Sequence, residues 1–237
     1  MSLALLAGLL ALPLASLGAS DSSKPEGYLA EPKGGGRGIL VLHAWWGLNA
    51  DVKRTCDRLA DAGFVAFAPD LFHGKTATTE AEAQALTKAH QSEEAEIDAQ
   101  IAEAAAYLGE RTGHEGIAVL GFSFGAYYAL SFSNAAPDRV KTVVVYYGTG
   151  AEDFGKSKAA YLGHFAERDD FEPKEAVDGL TAILKKAGRP EAIHTYPGTG
   201  HWFAEPSVAK AYDKAAADLA WDRTLAFLRE TLAPNPK

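Results

Sequence analysis

The chain has 237 residues, 47% of them apolar, and 31 acidic against 23 basic side chains leave it at −8. That length suits one large α/β domain with a full core, and the negative balance argues against nucleic acid or an anionic membrane as partner. A single cysteine, Cys56, excludes an intramolecular disulfide and a structural zinc site.

The first apolar stretch, Leu3 to Leu17, has two readings. It is the core of a signal peptide, or Leu12 to Ala19 is an edge strand joined to Gly27–Glu31 by the polar turn Ser20 to Glu26. No Lys or Arg precedes it, and cleavage after Ala19 would put Leu17 where a small residue is expected. Fifteen residues broken by Gly8 and Pro13 are too few to span a membrane. Residues 1–26 are therefore set apart from a single domain over 27–237. A monomer in the cytoplasm is expected, and a secreted or periplasmic one if residues 1–19 are a leader.

After the loop Pro32 to Gly36, Gly38 to His43 is short, continuously apolar and β-rich, as a buried parallel strand should be. Asn49 then caps a helix to about Ala62, with Val52, Cys56, Leu59 and Ala60 at helical spacing and Gly63 closing it. Phe64 to Leu71 is another strand. Thr79 to Glu110, rich in alanine and charge, predicts one or two helices whose low apolarity suggests an exposed face or a lid. Ile117 to Leu120 is a strand that meets Gly121-Phe122-Ser123-Phe124-Gly125 and passes directly into a helix over Ala126 to Asn134. Strands follow at Val140–Tyr147, Tyr161–Ala166 and Ala192–Tyr196. Helices run from Pro173 to near Gly188 and from Val208 to Leu232. The alternation implies a doubly wound, mainly parallel sheet with helices on both faces, whose ligands bind beyond the carboxyl ends of the strands.

Gly-x-Ser-x-Gly between a strand and a helix is the context of a nucleophile elbow. A serine held clear of both elements needs a strained turn, and side chains at 121 and 125 would collide with the crossing backbones. A Gly-Ser turn before an ordinary helix is the plain alternative, and the partners of Ser123 decide between them. A serine needs a base, and the base needs a carboxylate to hold its tautomer. The loop after Tyr161–Ala166 carries Glu167, Asp169 and Asp170, and the loop after Ala192–Tyr196 carries His201. Asp169 is taken as the acid, with Asp170 capping the helix begun at Pro173. Oxyanion donors are expected from the backbone N–H of Phe124 and of Trp45, which follows the strand Gly38–His43. Trp46, Phe72, Tyr146 and Trp202 are candidates for an aromatic pocket wall. The remaining histidines show no metal-ligand spacing, His43 is placed to orient a loop, and Cys56 reads as buried filler. Neither cofactor nor metal is expected.

The segments Leu42–Gly47, Ala68–Phe72, Gly121–Gly125, Tyr146–Gly148, Arg168–Phe171 and Tyr196–His201 together resemble the dienelactone hydrolases of the α/β-hydrolase superfamily. The resemblance spans about Gly27 to Leu232. It implies a Ser123, Asp169, His201 triad with oxyanion donors at Trp45 and Phe124. The best-known members carry cysteine at the elbow and a glutamate at the position of Ala44, and they bind the substrate carboxylate through arginines. One of those arginines falls where this chain has Glu205, whose negative charge would repel an anionic lactone. A serine esterase or lactonase acting on a small neutral or apolar acyl group is the expectation. An acyltransferase with the same triad and a non-catalytic ligand-binding protein on this scaffold are the alternatives.

Overall fold

Strand β2 (Gly38–Leu42) lies third in a seven-stranded sheet that is assembled outward from it in both directions. On one side come β3 (Val65–Pro69) and the short antiparallel edge strand β1 (Gly27–Ala30); on the other come β4 (Ile117–Phe122), β5 (Val140–Tyr146), β6 (Ala160–Arg168) and β7 (Glu191–Gly200), all parallel to it. The computed structural model describes residues 24–90, 94–114, 116–150 and 153–233, so both readings of the segment before residue 20 lie outside the described residues. Among the described residues, no helix is long and apolar enough to cross a membrane.

Alternation along the strands sorts the core into two layers. Ile39, Val41, Ala66, Ala118 and Leu120 face α1 (Ala50–Asp61) and α6 (Lys214–Thr231), while Leu40, Leu42, Phe67, Val119 and Val143 face α3 (Glu94–Thr112), α4 (Phe124–Ala135) and α5 (Lys174–Lys186). Successive side chains of a strand point to opposite faces, so a run apolar at every position has to be covered twice. The side chain of Asn49 accepts from the amides of Asp51 and Val52 and so starts α1, a cap of about 1 kcal/mol.

Three elements differ from the sequence expectation. The stretch 79–110 divides into α2 (Glu80–His90) and α3, and α3 is a covering helix of the sheet rather than a lid. Its Ile97, Ile101, Ala104, Ala105 and Leu108 form one buried stripe, and the alanines let it lie close to the strands despite its low mean apolarity. The last helix begins at Lys214, not Val208. Asp213 accepts from the amide of Ala216 and caps it, and residues 208–212 form turns before that cap. Finally, β6 and β7 run on to Arg168 and Gly200, and these two residues pair across the ladder.

Candidate active site

That last pairing delivers two of the three candidate residues. Arg168 and Gly200 are neighbours in the parallel ladder, so the residues that follow, Asp169 and His201, leave the sheet side by side. The same holds two ladders inward, where Phe122 pairs with Tyr146 and Ser123 is followed across the gap by Tyr147. Ser123 also donates its amide to the Tyr146 carbonyl at 2.9 Å. The strands β2 and β4 lie on either side of the point where the chain order reverses, which places Trp45 and Ser123 at one crevice.

Ser123 has φ +48° and ψ −112°, a conformation disfavoured for any residue with a side chain. The glycines around it leave no alternative to themselves. A Cβ on Gly121 would stand 2.4 Å from the Gly125 carbonyl oxygen, and one on Gly125 would stand 2.4 Å from that of Leu42. Gly148 belongs to the same packing, since a Cβ there would come within 2.7 Å of the Ser123 carbonyl oxygen.

Ser123 Oγ is 2.8 Å from His201 Nε2, and His201 Nδ1 is 2.7 Å from Asp169 Oδ2. The carboxylate only accepts, so Nδ1 carries the proton and Nε2 is left to accept from the serine hydroxyl. The imidazole and carboxyl side chains are 5% and 2% exposed, which shields the pair from water and strengthens it. Asp169 is held in turn: its Oδ1 accepts from the amides of Phe171 and Glu172, each at 3.0 Å. The helix α5 is entered through Pro173 without a side-chain cap, and the turn ahead of it is closed by Asp169 rather than by Asp170, which is exposed. Burial pushes the neighbouring Glu172 carboxyl up, partly offset by the Thr149 hydroxyl donating to it at 2.6 Å.

The Phe124 amide opens α4, where the first N–H groups have no carbonyl partner within the helix. The Trp45 amide lies in the turn closed by Gly47 N donating to the Ala44 carbonyl at 3.1 Å. His43 steadies that turn. Its Nδ1 donates to the Ala44 carbonyl at 2.7 Å while its Nε2 accepts the Leu71 amide at 3.3 Å, tying the ends of β2 and β3 together. Full burial lowers its pKa to about 4, so it stays a neutral strut.

Of the aromatic candidates, Trp46 and Trp202 pack with Trp45, their ring centroids 5.3 to 5.5 Å apart, beside His201. Phe72 and Tyr146 do not line the opening. Phe72 is wholly buried between His43 and Phe124, and Tyr146 turns to the other side of the sheet, bonding Thr224 at 2.8 Å. Chain position placed both near Ser123, but the pleat of β5 sends Tyr146 into one core layer, and Phe72, in the turn three residues past β3, folds into the other. Phe171, which carried no assigned role, is 52% exposed and stands 4.9 Å from the His201 ring and 5.2 Å from Trp202. Its position two residues after the acid was the available signal. Glu205 also departs from expectation. It is only 4% exposed, it accepts from the Tyr147 hydroxyl, and burial raises its pKa to about 8, so it presents no fixed negative charge to a substrate at neutral pH. Cys56 is buried on α1, and burial pushes its thiol up to about 12, which makes it inert.

Residues 26–232 match the model of the dienelactone hydrolase family. The chain belongs to that family. It is 33% identical over 218 residues to protein usf of Aquifex pyrophilus, covering 88% of this chain and 94% of that relative. It is 29% identical over 210 residues to the carboxymethylenebutenolidase of Pseudomonas putida, covering 84% and 87%. The crystal structure of a putative dienelactone hydrolase from Klebsiella pneumoniae superposes with a TM-score of 0.74 at 22% identity over 86% of this chain and 92% of that one. The fold is the α/β-hydrolase fold of this family, and its elbow carries Ser123.

Proposed function

We propose that this dienelactone hydrolase family member cleaves carboxylic esters or lactones through an acyl-enzyme on Ser123. One observation carries the reading: a single imidazole, His201, reaches the Ser123 hydroxyl with one nitrogen and the Asp169 carboxylate with the other. Ser123 Oγ attacks the carbonyl carbon as its proton passes to His201 Nε2. Asp169 stabilises the imidazolium, and the amides of Trp45 and Phe124 hold the oxyanion. The imidazolium returns the proton to the departing alkoxide, and a water activated by the same nitrogen then releases the acid. In a lactone the alkoxide remains tethered, and one hydroxy acid is the product.

The name of the Pseudomonas putida relative supports lactones as one substrate class. The walls of this site favour apolar ones: Trp45, Trp202 and Phe171 meet over His201. A panel of short acyl esters and lactones tests this directly. Neutral members are expected to be hydrolysed with kcat/KM at least about tenfold above carboxylate-bearing ones of the same size. Preference for a carboxylate-bearing lactone contradicts the specificity, and absence of hydrolysis across the panel contradicts the function.

A further inference from the structure

The triad is one arc of a ring that the sheet alone does not close. Ser123 follows β4 and Asp169 follows β6, and β5 lies between those strands, so no ladder hydrogen bond joins the elbow to the acid loop. The chain leaving β5 fills that gap. The Tyr146 carbonyl accepts the Ser123 amide at 2.9 Å, Tyr147 turns the backbone with φ +37°, and a Cβ on Gly148 would stand 2.5 Å from that of Ala126 on α4. A positive φ is uncommon for a residue with a bulky side chain and persists where the surroundings over-determine it. The turn brings Thr149 to the acid loop, where its hydroxyl donates to Glu172 Oε2 at 2.6 Å.

Glu172 carries the ring onward. Its amide donates to Asp169 Oδ1 at 3.0 Å, and Asp169 Oδ2, His201 and Ser123 Oγ complete the circuit with separations of 2.7 and 2.8 Å. Nucleophile and acid are thus connected twice, once through the imidazole and once through Thr149 and Glu172. The second connection carries a cost. Burial raises the Glu172 carboxyl, and the negative charge of Asp169 adds to that, while the Thr149 hydroxyl and amide and the nearby His201 pull it down. No basic side chain pairs with it among the described residues. A partly buried carboxyl set beside another acid without a cation is unfavourable, and groups perturbed in this way cluster at functional sites.

We propose that Glu172 is a positioning residue of the triad, and that its bond from Thr149 holds the Asp169 loop at the distance from the elbow over which His201 bridges the two. The inference rests on the triad proposed above. Glu172 touches no reacting atom and acts through Asp169. When the bond is removed, Asp169 keeps its own turn, because the amides of Phe171 and Glu172 still donate to Oδ1. The whole loop is then free to move relative to Ser123, and a displacement of about 1 Å can lower turnover by about a hundredfold. Trp45 and Trp202 lie on other loops and stay where they are.

The test is ester hydrolysis at pH 7 by the natural protein, Thr149→Val, Thr149→Ser, Glu172→Ala, Glu172→Gln and the double variant Thr149→Val with Glu172→Ala, each with its melting temperature. Thr149→Val and Glu172→Ala are expected to lower kcat about tenfold or more, with KM moving less than about threefold. Thr149→Ser keeps the hydroxyl and Glu172→Gln keeps an acceptor, so both stay within about threefold of the natural kcat. The double variant falls within about twofold of the slower single, since both changes break one bond. A natural kcat in folded Thr149→Val or Glu172→Ala, whatever their melting temperatures, overturns the inference. So do losses that multiply in the double variant, or a Thr149→Ser as slow as Thr149→Val. Equal loss in Glu172→Gln and Glu172→Ala overturns it too, because charge and not the bond would then be responsible. Should Glu172→Ala fail to fold, the two Thr149 variants decide. Absence of hydrolysis in the natural protein would instead strike the proposed function.

Discussion

Ser123→Ala is expected to lower kcat for the best ester substrate by about 10⁶, leaving a residual rate from binding and the oxyanion donors. The fold should be unaffected. The strain at φ +48° is borne by any residue with a Cβ, and the close approaches in the elbow belong to Gly121, Gly125 and Gly148. An unchanged melting temperature together with the lost turnover in a stopped or continuous ester assay is the expected pair of readings. Undiminished hydrolysis in the purified variant would move the nucleophile elsewhere.

Asp169→Asn is expected to cost about 10⁴ in kcat, and here the hydrogen bonds of this chain dictate why. Oδ1 already accepts from two backbone amides, those of Phe171 and Glu172. An asparagine at 169 therefore keeps its oxygen on that side and must turn its NH₂ group toward His201. The imidazole can then only accept with Nδ1, which leaves its proton on Nε2 facing the serine. The base is present but holds the wrong tautomer. Asp170→Asn, a change on the exposed neighbour, should leave kcat within about twofold of the natural protein. Equal loss in both variants would mean that charge near the site matters and the specific contact does not.

The parallel sheet was legible because its strands are short apolar runs, and short runs buried on both faces have few other places to go. The elbow was legible for a related reason: glycine two residues either side of a serine, between a strand and a helix, answers a steric need visible in sequence. What escaped was direction. Phe72 and Tyr146 lie beyond or at the right strand ends, yet the pleat turns Tyr146 into the core and the turn after β3 folds Phe72 against Phe124. Glu205 read as a negative charge facing the substrate, from its residue type and its place after His201. Only the meeting of its loop with Tyr147, 58 residues away, shows it to be buried and raised to about 8. The helix α3 misled through its composition, since alanines that look weakly apolar in sequence allow the close packing against the strands that makes it part of the core. Asp169 was preferred to Asp170 in the sequence, though residue type does not distinguish them; the pairing of Arg168 with Gly200 is what stands Asp169 beside His201, at 2.7 Å.

The central claim is that Ser123 becomes covalently acylated, and an organophosphorus probe tests it most directly. Incubation with a fluorophosphonate, followed by intact-mass measurement and peptide mapping, should give one adduct on the peptide carrying Ser123. The adduct should be absent in Ser123→Ala and its formation slowed by orders of magnitude in His201→Ala. Labelling that persists unchanged in Ser123→Ala, or a natural protein that hydrolyses esters without ever taking the label, would contradict the account.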